Sequence, residues 1–208
     1  MANRAVIFEL FGTLLPAFDD RDLVAEMAHA LSASPYEFAE AWRTIVTTRE
    51  TSGGGTLEDD LDDALRSLHA FTHLDQRQAA IDLLFAATRR ALEPRTDVLE
   101  MLSGLRQGGL LSAAVANATP LVARLWAEST LAAFVDRAAF SFEAGARLPD
   151  VPLFRLAADK LGVRPEQCVC VVAHQSLRSH LGTGGWRLLA EDGATGMLDA
   201  VLKLKEAD

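Results

Sequence analysis

The run AVIFELFG (5–12) reads as a buried parallel strand that stops at a glycine, yet the next strand pattern begins only at 110. What lies between is therefore an insertion that leaves the first strand free to pair with later ones. It carries four helical signals. From Asp22 to Leu31, the residues Leu23, Met27 and Leu31 recur at spacing four. Ser34-Pro35, with Glu37 three residues after the serine, predicts a capping box with proline at the first helical position, and an inner face of Phe38, Trp42 and Ile45. A third helix opens at Thr56 with Asp59 and has the stripe Leu57, Leu61, Leu65 and Leu68. A fourth starts at Asp75 with Gln78 and carries Ile81, Leu84, Phe85 and Thr88. Gly53-Gly54-Gly55 reads as a joint between helices. It lacks the preceding strand and following lysine that a phosphate-binding loop needs.

From Pro94 the pattern changes. Val98, Met101, Leu102 and Leu105 make a helix that stops at Gly108-Gly109. Strands at 110–116, 138–141, 168–173 and 187–190 then alternate with helices at about 120–127, 152–161 and 195–205, with Gly162 ending the middle one. Such alternation implies βαβ units and a parallel sheet. The expected architecture is an α/β core from 1–15 and 94–208, split by a helical cap at 16–93. Ligands in such sheets bind beyond the carboxyl ends of the strands, which points to 9–13, 116–119, 147–150 and 173–176.

The 208 residues carry a net charge of −9, which argues against nucleic-acid binding because phosphate backbones repel an acidic surface. No stretch is long and apolar enough for a membrane span, and Glu9 and Gly12 interrupt the first apolar run, so it reads as a strand and not a signal peptide. A cytoplasmic location is the default expectation. Cys168 and Cys170 lie two apart in an apolar strand, on one face, where a bond between them would be strained; they read as structural thiols. His69 and His73 have the spacing that puts two imidazoles on one helix face, but no third ligand is evident, so no metal site is read there.

Four segments then resemble, in order, the motifs of the haloacid dehalogenase superfamily, whose first motif reads VIFDLFGTL. VIFELFGTL (6–14) matches it, VANATP (115–120) is similar to the second, FSFEAGARLPDVPLF (140–154) to the third and CVCVVAHQS (168–176) to the fourth. The resemblance implies a Rossmann-like core with a parallel sheet and a helical cap inserted after the first strand. In that family the first aspartate attacks the substrate and forms an ester, and Glu9 stands at its position. Phe11 replaces the acid that phosphatases place two residues later, although dehalogenases carry an aromatic there. Ala116 replaces the hydroxyl of the second motif, Leu148 the lysine of the third, and Ala173 the magnesium-binding aspartate of the fourth. Phosphoryl transfer depends on positioned cations and donors around the phosphate oxygens, so these changes predict loss of the family reaction and no metal or other cofactor.

The same changes leave Glu9 at the end of a buried strand among apolar neighbours. An unpaired buried carboxylate favours its neutral form and can act as a general acid or base. The expected function is a repurposed small-molecule enzyme of isomerisation, cyclisation or dehydration type, with Glu9 moving a proton on an apolar or weakly polar ligand. Two alternatives stay open: a protein without chemistry that binds a metabolite or a protein partner, and a metal-independent hydrolase with Glu9 as nucleophile. A homodimer is also open. His174, beside the vacated metal position, is a candidate to pair with Glu9. Phe18, Trp42 and Trp126 are candidates to line the pocket with Phe11, Ala116, Leu148 and Ala173, while Thr13 and Asn117 are expected chiefly to hold their loops. Asp150 is expected to cap the helix that follows it. Ser176 and His180 lack the glycine elbow of a nucleophile and are not read as a catalytic pair.

Overall fold

The computed structural model describes residues 4–183, 185–189 and 194–206. Strands β1 (Ala5–Glu9), β2 (Leu111–Ala116), β3 (Arg137–Phe140), β4 (Cys168–Val171) and β5 (Arg187–Leu189) form a parallel sheet in the order β3-β2-β1-β4-β5. The first strand is thus central, paired with β2 on one edge and β4 on the other, in keeping with its apolar run from Ala5 to Phe8. Residue 190, the end of the expected last strand, lies outside the described residues.

Side-chain alternation on β1 divides the core. Val6 and Phe8 face a cluster completed by α5 (Thr96–Gln107), α6 (Pro120–Glu128) and α10 (Ala194–Glu206). Ala5 and Ile7 face the opposite cluster, built with α8 (Pro152–Leu161) and α9 (Gln175–Thr183). Cys168 and Cys170 are free thiols in that second cluster, both buried on one face; burial pushes the Cys168 thiol up to about 11 and also raises that of Cys170 well above the ordinary thiol range. Helix α8 begins and ends where the sequence puts it, with Gly162 in the left-handed conformation closing it. The four-residue α7 (Ser141–Ala144) follows β3 directly.

Four helices fill the gap after β1: α1 (Arg21–Ala30), α2 (Pro35–Ser52), α3 (Leu57–Ser67) and α4 (Leu74–Ala91). They bury a core of their own around Leu23, Met27, Leu31, Phe38, Trp42, Leu61 and Leu65. The Thr56–Asp59 capping box forms, each residue bonding the other's backbone N–H. The Ser34 box does not; its hydroxyl makes no capping bond, and Pro35 with its fixed φ starts the helix alone. Helix α4 starts one residue earlier than expected, because Gln76 and not Gln78 accepts from the backbone N–H of His73. His69 and His73 do not share a helix face: His69 has a positive φ of 52° in the connection and His73 is the N-cap of α4. Among the described residues no helix is long and apolar enough to cross a membrane.

Candidate functional site

Strand β1 ends on Glu9, whose side chain is almost fully buried although it carries a carboxyl group. The position is fixed from both sides. The neighbouring Leu10 N–H still pairs with Val115 O at 2.8 Å, and β4 on the other edge delivers Ala173 and His174 just beyond its last residue. Glu9 Oε2 accepts from the Ala173 N–H at 3.0 Å and from the His174 N–H at 3.4 Å. These amides immediately precede α9, so the carboxylate sits at the positive end of a helix. Glu9 Oε1 lies 2.5 Å from His174 Nδ1. The expectation of an unpartnered Glu9 is therefore corrected: the polypeptide turns two backbone donors and an imidazole onto it. The expected pairing of His174 with Glu9 is present, and the His174 side chain is more than half exposed.

Gly12 makes this approach possible. Its φ is +94°, and a Cβ there would meet His174 Cε1 at 3.3 Å and Ala173 Cβ at 3.4 Å. Asn117, past the end of β2, clamps the loop after α7: its Oδ1 accepts from the Leu148 N–H at 2.7 Å and its Nδ2 lies 3.5 Å from Leu148 O.

A cavity of about 380 Å³ opens above Glu9, between the sheet and the helical layer. Of the sequence candidates, Glu9, Phe11, Phe18, Trp42, Ala116, Asn117, Leu148 and His174 line it, and Phe11 stacks on Phe18 with ring centroids 5.8 Å apart. Three candidates lie elsewhere. Trp126 is buried in the core, edge-on to Phe140 at 6.4 Å, because its helix packs that face against the sheet. Thr13 and Ala173 face a different cavity, on the α5 and α10 side, since the chain reverses at Gly12. Asp150 caps nothing: its N–H closes a turn to Arg147 O at 2.8 Å, and the N-cap of α8 is Val151. Ser176 and His180 lie on α9, His180 Nδ1 being 2.8 Å from the Ser176 carbonyl.

Among the further lining residues, Glu50 and Arg147 form an ion pair; Arg147 falls within the segment 147–150 that the strand-end rule indicates, and Glu50 within none. Glu50 lies on the last full turn of α2, and Arg147 precedes Leu148; Arg147 Nε stands 2.7 Å from Glu50 Oε2 across the seam between the two layers. The pocket does contain a cation after all, one residue before the position where the third motif has its lysine. Burial holds the Glu50 carboxyl above the usual range, with the Arg147 charge opposing that shift in part. A carboxyl raised by burial binds its proton more readily folded than unfolded, so its contribution to stability worsens as pH rises through the folded value. Glu50→Gln removes this penalty. Its stability relative to wild type should be greatest at neutral pH and should fall as pH is lowered toward the ordinary glutamate range. Urea titrations across that window check it; a difference that grows on acidification contradicts the assignment.

The fold family implies magnesium at the strand ends. The residues here do not fit that ion: Ala173 presents a methyl group, and both Glu9 oxygens are already engaged by donors that a cation would have to displace. Among the described residues, no three His, Cys, Asp or Glu side chains group as a ligand set.

A parallel α/β sheet whose central strand ends in a carboxylate beneath a helical layer defines a capped α/β fold with its site at the strand ends. It is the haloacid dehalogenase-like fold, as comparison with solved structures shows. A dehalogenase is 23% identical with a TM-score of 0.58, over 89% of this chain and 83% of that one. A superfamily enzyme from Bacteroides thetaiotaomicron is 12% identical with a TM-score of 0.70, over 93% and 95%. A predicted hydrolase of the same type from Porphyromonas gingivalis is 17% identical with a TM-score of 0.68, over 98% of both chains. At such identities the likeness shows the fold alone. No protein-family model and no curated protein sequence matches the chain.

Proposed function

We propose that this chain is a small-molecule enzyme that moves a proton on a largely apolar substrate, without phosphoryl transfer, and that the Glu9–His174 pair is its acid–base group. The observation that carries this reading is the 2.5 Å contact between the buried Glu9 carboxylate and His174 Nδ1 at the floor of the cavity. A carboxylate fixed by two backbone N–H groups cannot swing toward substrate without losing them, so Glu9 orients the imidazole and His174 transfers the proton. The sequence assigns the proton to Glu9 as general acid or base with His174 as its candidate partner; this reading exchanges the two roles. Ala116, Leu148 and the Phe11–Phe18 stack supply apolar wall beside the pair. Isomerisation, cyclisation and dehydration all need such a group.

The test is exchange of carbonyl α-protons into heavy water, followed by NMR for a panel of aryl ketones. Wild type should accelerate exchange of at least one ketone. His174→Ala should remove the acceleration, and Glu9→Gln should lower it by about 10²–10⁴-fold, the usual scale of general acid–base catalysis. Acceleration that survives His174→Ala would sink the assignment of the imidazole as the proton carrier.

A further inference from the structure

The charges around the cavity are unequal. Four carboxylates line it: Glu9 from β1, Asp20 from the residue before α1, Glu50 from α2 and Asp60 from α3, while the linings from β2, α4 and α6 are uncharged. Against them stand one guanidinium, Arg147, and the His174 imidazole. Arg49 holds Asp60 from outside the wall at 2.5 Å, and Arg147 answers Glu50. Asp20, which makes no capping hydrogen bond, adds its negative charge beside Glu50. Even with Arg49 counted, the lining keeps more carboxylates than cations. The Glu50 side chain is only 13% exposed, and its Oε2 touches Arg147 as an ion pair without a well-aligned hydrogen bond.

A cavity walled by low-dielectric side chains focuses such a field, attracting cations and repelling anions. The same rim carries aromatic faces. Phe11 and Phe18 stack at 30° between planes with Phe18 partly exposed, and Trp42 stands on α2 two turns before Glu50. Aromatic faces add attraction for a positive centre and bury the apolar part of the same molecule.

We propose that the pocket takes an amine: a ligand with an apolar body of about bicyclic-ring size and one positive charge, the charge lying toward Asp20 and Glu50 and the body against the aromatic wall. The proposal rests on the reading of this cavity as the substrate site and names the class of substrate. Arg147 does not make it an anion site, because Glu50 already occupies that guanidinium and Asp20 adds a further negative charge.

Three probes sharing an indole body test it: tryptamine, tryptophol and indoleacetate, each titrated by calorimetry at neutral pH and followed at the Trp42 indole NMR signal. Tryptamine should bind about tenfold tighter than tryptophol, and indoleacetate weakest, a difference that shrinks with added salt. In the double variant Asp20→Asn, Glu50→Gln, checked for fold by circular dichroism, tryptamine should fall to the tryptophol level. Equal binding of tryptamine and tryptophol would overturn the charge assignment while leaving an apolar substrate site intact. Tightest binding of indoleacetate would overturn it in favour of Arg147. No binding of any probe, with the Trp42 signal unmoved, would overturn both this proposal and the reading of the cavity as a substrate site.

Discussion

Phe38→Ala is expected to lower the free energy of unfolding by about 3–5 kcal/mol, the usual cost of deleting a fully buried phenyl ring. Phe38 has no solvent exposure and lies in the core of the helical layer, parallel to Trp42 with ring centroids 5.8 Å apart. That layer keeps its own buried cluster, separate from the two that sandwich the sheet. The cavity left by the ring should therefore loosen α2 before it disturbs the strands. Because Trp42 walls the pocket, ligand binding should weaken as well. Phe154→Ala, in the cluster beneath the sheet, should cost a similar amount yet spare the pocket wall. Urea denaturation followed by tryptophan fluorescence gives the first quantity. A loss well under 1 kcal/mol for Phe38→Ala would mean that the helical layer is not held by this stack.

The second large effect is expected at Gly12. A valine there must adopt a φ of +94°, where β-branched residues are strained, and its Cβ would meet the His174 ring and the Ala173 methyl at 3.3–3.4 Å. The strain alone should cost about 1–3 kcal/mol. Relief can come only by moving the segment that carries His174, since β1 is pinned on both edges. The variant should therefore fold with lower stability and with the Glu9–His174 contact broken. The His174 imidazole nitrogen shifts measure this directly. Wild-type shifts in a stable Gly12→Val protein would show that Gly12 does not set the geometry of the pair.

Much of the fold is legible because its signals are local and repeated. Alternating strand and helix patterns after Pro94 give the parallel sheet, and helix 152–161 is bounded to the residue by Pro152 and Gly162. Helix α9 is not: its sequence, QSLRSHLGT, has only Leu177 and Leu181 to mark a buried face among residues of modest helix preference. The N–H groups that grip Glu9 come from the segment leading into that helix, so missing it left the glutamate unpaired on paper. The pocket divides in the same way. Motif positions identify Ala116, Leu148 and His174, because a motif fixes the strand end on which each residue sits. Trp126 was misassigned because an aromatic on an amphipathic helix faces core and cavity with the same spacing. Glu50 did have a signal: the stripe Phe38, Trp42 extends by fours through Val46 to Glu50, and the last three line the cavity. A charged residue at the end of an apolar stripe reads as the solvent edge of a helix until the layer opposite is known. Arg147 lies in the strand-end segment 147–150, but its partner Glu50 is far upstream in sequence on α2, and no local pattern joins the two.

The central claim is that this haloacid dehalogenase-like chain does not use Glu9 for phosphoryl transfer. Phosphate release from a panel of phosphomonoesters with magnesium, wild type against Glu9→Gln, tests it most directly. The account predicts no turnover that depends on Glu9 from a protein that is demonstrably folded. Magnesium-stimulated release that disappears in Glu9→Gln would contradict it and make the chain a working phosphatase.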